Sequence, residues 1–458
     1  MSAPRSLFES ARYLSRDESE ALTKKALSFV TTATDVVVNV GSGSRGNTRF
    51  AVNQVSTGGD NYDVNVTVTA YYGKKSASSN TNQLDDAGLR QAVQTAERLA
   101  KLAPEDPELM PLLGQSEFQG GKGWSEATAA LDPIGRAEAV RAITAPSKSG
   151  NLVSTGFIDT RAGSSCIANT KGLFAYQRST AAALTTTVRT QDGTGSGWAG
   201  ASHNDWSKID PASLGARAAE KARASRNPAA IEPGRYTVVL EPTAVGNLVP
   251  LMAFSLNARG ADEGRSFFSK PGGGTKIGEK VVDERVTFVS DPDDPEAPGS
   301  PYTGEGLPTQ KITWIENGVV KTLNYDRWWA QKKGVAPTAS GGSLRMSGGT
   351  TSIDEMIAST QRGLLVTRFW YLRPVDQRTI LFTGLTRDGT FLIENGKITK
   401  AVKNLRFNDS PVFMLNNLEA MGTPVRVSAS EDGSAGQAII VPPLKVRDFN
   451  FTSLSDAV

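Results

Sequence analysis

Between Tyr62 and Tyr71 the chain alternates without a break, setting Val64, Val66, Val68 and Ala70 against Asp63, Asn65, Thr67 and Thr69. Side chains along a strand point to opposite faces with a period of two, so this stretch is a half-buried strand, most easily one of an antiparallel sheet. Its neighbours agree. Val36 to Val40 is a β-branched run and Thr48 to Val55 reads as extended. Ser15-Arg16-Asp17-Glu18 is a capping box, followed by Leu22, Ala26, Phe29 and Val30 at helical spacing. Asp85 or Asp86 caps a second helix carrying Leu89, Val93, Ala96 and Leu99, which Pro104, Pro107 and Pro111 end. The expectation is an N-terminal α+β domain over residues 1–115, two helices on an antiparallel sheet.

Residues 116–230 form a central segment. Asp132-Pro133 and Asp210-Pro211 each place a cap before a proline, the pattern of a helix start. Between them Leu152 to Arg189 reads as strands and turns. Gly193 to Gly200 reads as a flexible loop, because it lacks the Lys-Ser/Thr ending of a phosphate-binding loop and fits no GxGxxG pattern. Residues 231–458 are strand-dominated. Ile315-Glu316-Asn317-Gly318-Val319 and Ile393-Glu394-Asn395-Gly396-Lys397 each predict a hairpin, since Asn-Gly tolerates the positive φ of a type I′ turn. Asp291 to Pro301 is acidic and proline-rich; its prolines block the spacing of a calcium loop, so it reads as a solvated surface loop. Ser352 to Leu365 contains one helix.

Two counts restrict the chemistry. One cysteine, Cys166, excludes an intrachain disulfide and fits a reducing cytoplasm. One histidine, His203, excludes any site needing two imidazoles from this chain. Lys and Arg number 50 against 47 Asp and Glu, a net charge of +3, which gives no electrostatic case for a nucleic-acid or membrane-surface partner. The polar N-terminus shows no signal peptide, and no apolar run is long enough to span a bilayer.

Several stretches, in order, resemble one family. Thr48-Arg49-Phe50-Ala51-Val52-Asn53, Ala77 to Leu84, Cys166 to Thr180, Pro233 to Leu240, Gly304 to Val319 and Phe391 to Phe407 are similar to segments of the TldD/PmbA (TldE) metallopeptidase family. The resemblance implies an N-terminal α+β domain followed by a β-rich C-terminal one. In its TldD-type branch a helix after the Pro233–Leu240-like strand carries HExxxH, and a C-terminal cysteine completes a zinc site. Zinc held that way lowers the pKa of its bound water toward about 7, and the glutamate takes the proton as the water attacks a peptide carbonyl. Carried across, the HExxxH ligand and base positions fall on Pro250, Leu251 and Ser255, and the cysteine position on Asp432. None can do the work, and His203 is too far upstream to replace them.

The resemblance is therefore to the TldE/PmbA-like branch. It implies a non-catalytic subunit with no cofactor of its own, zinc being expected in a TldD-type partner subunit. It implies a heterodimer with that subunit, or a homodimer, acting on a peptide or unfolded protein segment. The competing expectation is an active peptidase with non-standard ligands or acting as a homodimer. Four smaller expectations complete the reading. His203 in Ser202-His203-Asn204-Asp205 is a turn histidine rather than a triad member, since no GxSxG accompanies it. Cys166 is a buried structural thiol. Trp328 and Trp329 pack in the core or offer an aromatic shelf to a peptide. Gly341, Gly342 and Arg345 line a substrate groove, the glycines letting a backbone approach closely.

Overall fold

The computed structural model describes residues 13–118, 121–428, 430 and 433–455. Strand β1 (Asp35–Ala51) turns into β2 (Gln54–Tyr72), which turns into β3 (Lys75–Thr81). The alternating stretch lies in β2, with Val66, Val68 and Ala70 fully buried as its period requires. Thr48 to Val55 is not one extended segment. It is the tip of the β1–β2 hairpin, turning at Val52 and Asn53, which both take positive φ. The turn lacks a glycine, which hid it. Asn53 holds it from outside, donating to Leu152 O (2.8 Å) and accepting from Ser154 N (2.7 Å).

Three further strands extend the same sheet: β4 (Leu152–Asn169), β5 (Phe174–Thr190) and β6 (Ser196–His203), in the order β3-β2-β1-β4-β5-β6, all antiparallel. The sheet thus runs unbroken from the N-terminal segment into the central one. Helices Arg16–Leu27 and Asp86–Leu102 cover one end of it over Val36, Val38, Val40, Val64 and Cys166. Helices Pro133–Ser149 and Pro211–Ala224 cover the other over Phe50, Ile158, Ala182 and Leu184. The caps are those read from sequence: Ser15 with Glu18, Asp85, Asp132 and Asp210 each accept an N–H of their own first turn.

Gly193 to Gly200 is not a flexible loop throughout, since Ser196 onward is β6. Its glycines serve close packing. A Cβ on Gly197 would stand 2.5 Å from Ala222 N and collide with Ala218 O, so helix Pro211–Ala224 can lie directly on this strand only because no side chain intervenes.

The C-terminal half carries two sheets. Strand β7 (Gly234–Leu240) lies in a seven-stranded mixed sheet between parallel Arg362–Asp376 and antiparallel Leu444–Leu454. Phe369, Phe407, Phe449 and Phe451 fill its core, with neighbouring ring centroids 4.7–5.5 Å apart. A six-stranded sheet includes Phe288–Ser290, Leu344–Met346, Ile439–Val441 and Val425–Val427. Both Asn-Gly segments turn as expected, Asn317, Gly318, Asn395 and Gly396 all with positive φ. The whole is α+β.

The far face of the first sheet meets this half. Val37, Ile167, Leu173 and Ala175 pack on Tyr302, whose hydroxyl donates to Ser165 O at 2.8 Å. Asp159, fully buried on β4, holds Arg45 (2.8 Å) and Arg161 (2.9 Å) and accepts Ala435 N at 3.2 Å, tying the Gly433–Gln437 segment to the sheet.

Candidate functional site

The helix expected after β7 is present, Pro242–Phe254, started by Pro242 and capped at its end by Ser255. It is apolar almost all round. Ala244, Val245, Leu248, Val249, Pro250 and Met252 are buried, and Asn247 Oδ1 accepts Phe369 N at 3.0 Å, pinning the helix to the strand beside β7. Its N-terminus is held by Lys221 of the helix on the first sheet. Lys221 Nζ meets Glu241 at 2.5 Å and Thr367 Oγ1 at 3.1 Å, and burial holds the ammonium below its ordinary value.

Pro250 is buried and offers no donor atom for a metal. Leu251 is half-buried against the C-terminal core. Ser255 is half-buried, and its hydroxyl donates back to Leu251 O at 3.0 Å, the usual resting place of a helical serine. Asp432 lies outside the described residues. No group of three or more His, Cys, Asp or Glu side chains stands at metal-binding distance among the described residues. The donor set at Pro250, Leu251 and Ser255 does not fit a zinc ion, which needs nitrogen, thiolate or carboxylate ligands.

The expected groove residues part company. Gly341 and Gly342 line a cleft of about 240 Å³ between β5 and the C-terminal half, together with Arg178, Thr180, Asn204 and Arg426. Arg345 sits beside it but is taken up. Its Nε and Nη2 grip Asp294 (2.6 and 2.9 Å), and Nη2 also reaches Glu296 (2.8 Å), raising the guanidinium's pKa further. Asp291 to Pro301 is accordingly not a solvated loop. Asp294 anchors it, Ala297 is buried, and Pro298, Gly299 and Ser300 wall the cleft.

Trp328 and Trp329 open helix Arg327–Lys333 away from this cleft. Trp329 is buried and donates from Nε1 to Asp262 at 2.8 Å. Trp328 is partly buried on the same core, and Arg259 lies over both rings at 5.2 and 5.4 Å. Both thus pack on the C-terminal core.

His203 ends β6. Its Nδ1 accepts the backbone N–H of Asp205 at 2.8 Å, while the Asp205 carboxylate accepts Ser125 Oγ at 3.0 Å and Ser207. The carboxylate therefore does not orient the imidazole, and no triad forms. Burial, then the Arg426 charge, hold the imidazole below its ordinary value, so it is neutral at pH 7. Cys166 is buried in the first-sheet core, and burial pushes its thiol up to about 12. At neutral pH it is not a nucleophile. Sequence reasoning missed Arg426 and Asp159. An isolated arginine in a short strand and an aspartate in a Thr-rich strand carry no pattern; only the approach of distant segments gives them meaning.

A continuous antiparallel sheet under two helix pairs, followed by a β-rich half whose post-β7 helix is sealed with apolar groups, defines an α+β chain whose post-β7 helix carries no histidine, cysteine or carboxylate side chain. The comparisons with known proteins agree. Profiles of the PmbA/TldA metallopeptidase family match in all three of its parts: domain 1 over residues 36–100, the central domain over 118–226 and the C-terminal domain over 233–453. The chain belongs to the PmbA/TldD metallopeptidase family.

A protein named "Metalloprotease" from Methanothermobacter thermautotrophicus is 27% identical over 261 residues, 51% of this chain and 54% of that protein. A "Metalloprotease TldD homolog" from Haemophilus influenzae is 27% identical over 193 residues, 38% of this chain and 40% of that one. The chain thus spans about half the length, or less, of these relatives. The crystal structure of TldE from Thermococcus kodakarensis superposes with a TM-score of 0.80 at 18% identity, over 95% of this chain and all of that one. No helix among the described residues is long and apolar enough to cross a membrane.

Proposed function

We propose that the chain is a non-catalytic, TldE-like subunit that pairs with a zinc-bearing TldD-type subunit in processing peptides or unfolded protein segments. One observation carries the reading. In a family of metallopeptidases, the helix that would hold the metal presents Pro250, Leu251 and a serine closed on its own backbone. Hydrolysis then has to use the partner's zinc and glutamate, and this chain contributes surface and cleft walls. The reading places the protein in the cytoplasm, with a single reduced cysteine.

The test is direct. The purified chain is analysed for metal by elemental mass spectrometry, assayed on an unfolded protein substrate with and without chelator, and co-expressed with a homologue carrying HExxxH. Substoichiometric zinc, no cleavage by the chain alone, and co-purification with chelator-sensitive cleavage by the pair support it. Chelator-sensitive cleavage by the isolated chain would instead establish an active peptidase with non-standard ligands, and sink it.

A further inference from the structure

We propose that the cleft between β5 and the C-terminal half is a carboxylate-binding site anchored by the Arg426 guanidinium. The assignment concerns this chain alone and stands or falls apart from the subunit pairing above.

Among the described residues Arg426 is only partly satisfied. Its two hydrogen bonds both leave from Nη1, to Asn204 Oδ1 at 3.1 Å and to Glu296 O at 2.5 Å. Among the described residues Nε is buried without a partner, and Nη2 makes no hydrogen bond. Buried donors are almost always satisfied, so a vacant arginine edge is conspicuous. The two carboxylates whose charge reaches it, Asp294 and Glu296, are bonded instead to Arg345 at 2.6 and 2.8 Å. Burial pushes the Arg426 guanidinium down to about 10, outweighing the Asp294 and Glu296 charges that pull the other way.

The cleft around it is complementary to an anion. Arg178 joins Arg426 in its wall, and no described lining residue carries a carboxylate. The planar guanidinium has the fork spacing of a carboxylate, which it binds through two parallel hydrogen bonds. The walls leave room for the group that carries it. A Cβ on Gly342 or Gly436 would meet nothing within 4 Å, so main chain borders open space on both sides. About 240 Å³ is below the roughly 300–1,000 Å³ of pockets for drug-sized ligands, and suits one terminal residue or one acidic side chain.

Calorimetric titration of the full chain tests this with four probes: tri-alanine with a free C-terminus, its C-terminal amide, acetyl-Ala-Glu-Ala amide, and inorganic phosphate. At least one carboxylate probe is expected to bind at least tenfold more tightly than the neutral amide, and Arg426→Gln is expected to remove that preference. Binding of tri-alanine alone assigns a chain terminus, of the glutamate probe alone an acidic side chain, and of both the shared group; each supports the site. Equal binding of the neutral amide, no binding of any probe, or full binding by Arg426→Gln overturns it. Inorganic phosphate binding more tightly than either carboxylate also overturns it. Should Arg426→Gln not fold, Gly436→Leu decides, since it fills the cleft at a position without positive φ. It is expected to melt like the native chain and lose binding, and retained binding overturns the proposal.

Discussion

Gly215 lies in the middle of helix Pro211–Ala224, where alanine should stabilise by about 1 kcal/mol on helix propensity alone. The structure predicts the opposite sign. A Cβ at Gly215 would stand 2.8 Å from Ile143 C and 3.0 Å from Ile143 Cα, and nearer still to the Ile143 carbonyl oxygen. These are backbone atoms of helix Pro133–Ser149, so no side-chain rotation can make room. Reaching ordinary contact requires the two helices to part by about 1 Å, which forfeits a quarter to a half of the dispersion energy across the seam. That seam includes Val140, Ile143, Leu214, Ala218 and Ala219, all buried. Overpacking costs about 1–3 kcal/mol, and a clash with backbone atoms that cannot rotate away lies in the upper part of that range, about 2–3, so after the propensity gain the net loss is about 1–2 kcal/mol. Because a chain of several parts need not unfold in one step, the measurement is local. Amide hydrogen exchange in helices Pro133–Ser149 and Pro211–Ala224 should quicken about 5–30-fold in Gly215→Ala. Gly41→Ala, whose Cβ would meet nothing within 4 Å, should leave both helices unchanged. Exchange as slow as native, or slower, in Gly215→Ala would refute the close-packing argument.

Two further outcomes follow from buried titratable groups. Burial pushes the Asp409 carboxyl up to about 6, against backbone N–H bonds from Asn450 (2.9 Å) and Ser410 (2.7 Å) that favour its charge. The folded state then holds this proton to higher pH than the unfolded state, so this group's contribution falls as pH rises from about 4 to about 6 and is flat above. Relative to native, Asp409→Asn should gain about 2–3 kcal/mol across that window in urea titrations, and a pH-independent difference would contradict it. Cys166, with its thiol pushed up to about 12, should resist a disulfide exchange reagent at pH 8 in the native chain and react once in denaturant; fast native reaction would place it elsewhere than the sheet core.

Periodicity and end signals were legible because they act locally. The alternation of β2, the Ser15, Asp132 and Asp210 caps and both Asn-Gly turns each depend on a few adjacent residues, and each formed as read. The missing zinc ligands were legible too, because His, Cys and Glu at fixed spacing either occur or do not. Where the reading failed, a distant partner had decided the outcome. Val52-Asn53 turns without a glycine because β4 catches the Asn53 side chain. Gly195 and Gly197 look like flexibility until a helix is laid on them.

The cleft marks the boundary most clearly. Gly341 and Gly342 could be singled out from their sequence, since glycine permits close approach whatever surrounds it. Arg345 and Arg426 could not be told apart, being the same side chain in similar short strands. Tertiary contact gave one of them the Asp294 and Glu296 carboxylates and left the other's Nε without a partner among the described residues. Backbone preference and the presence of a ligand-forming side chain belong to the residue, so the sequence determined them. Whether a buried charge is matched belongs to the pair, and the pair exists only once segments 51 residues apart have met.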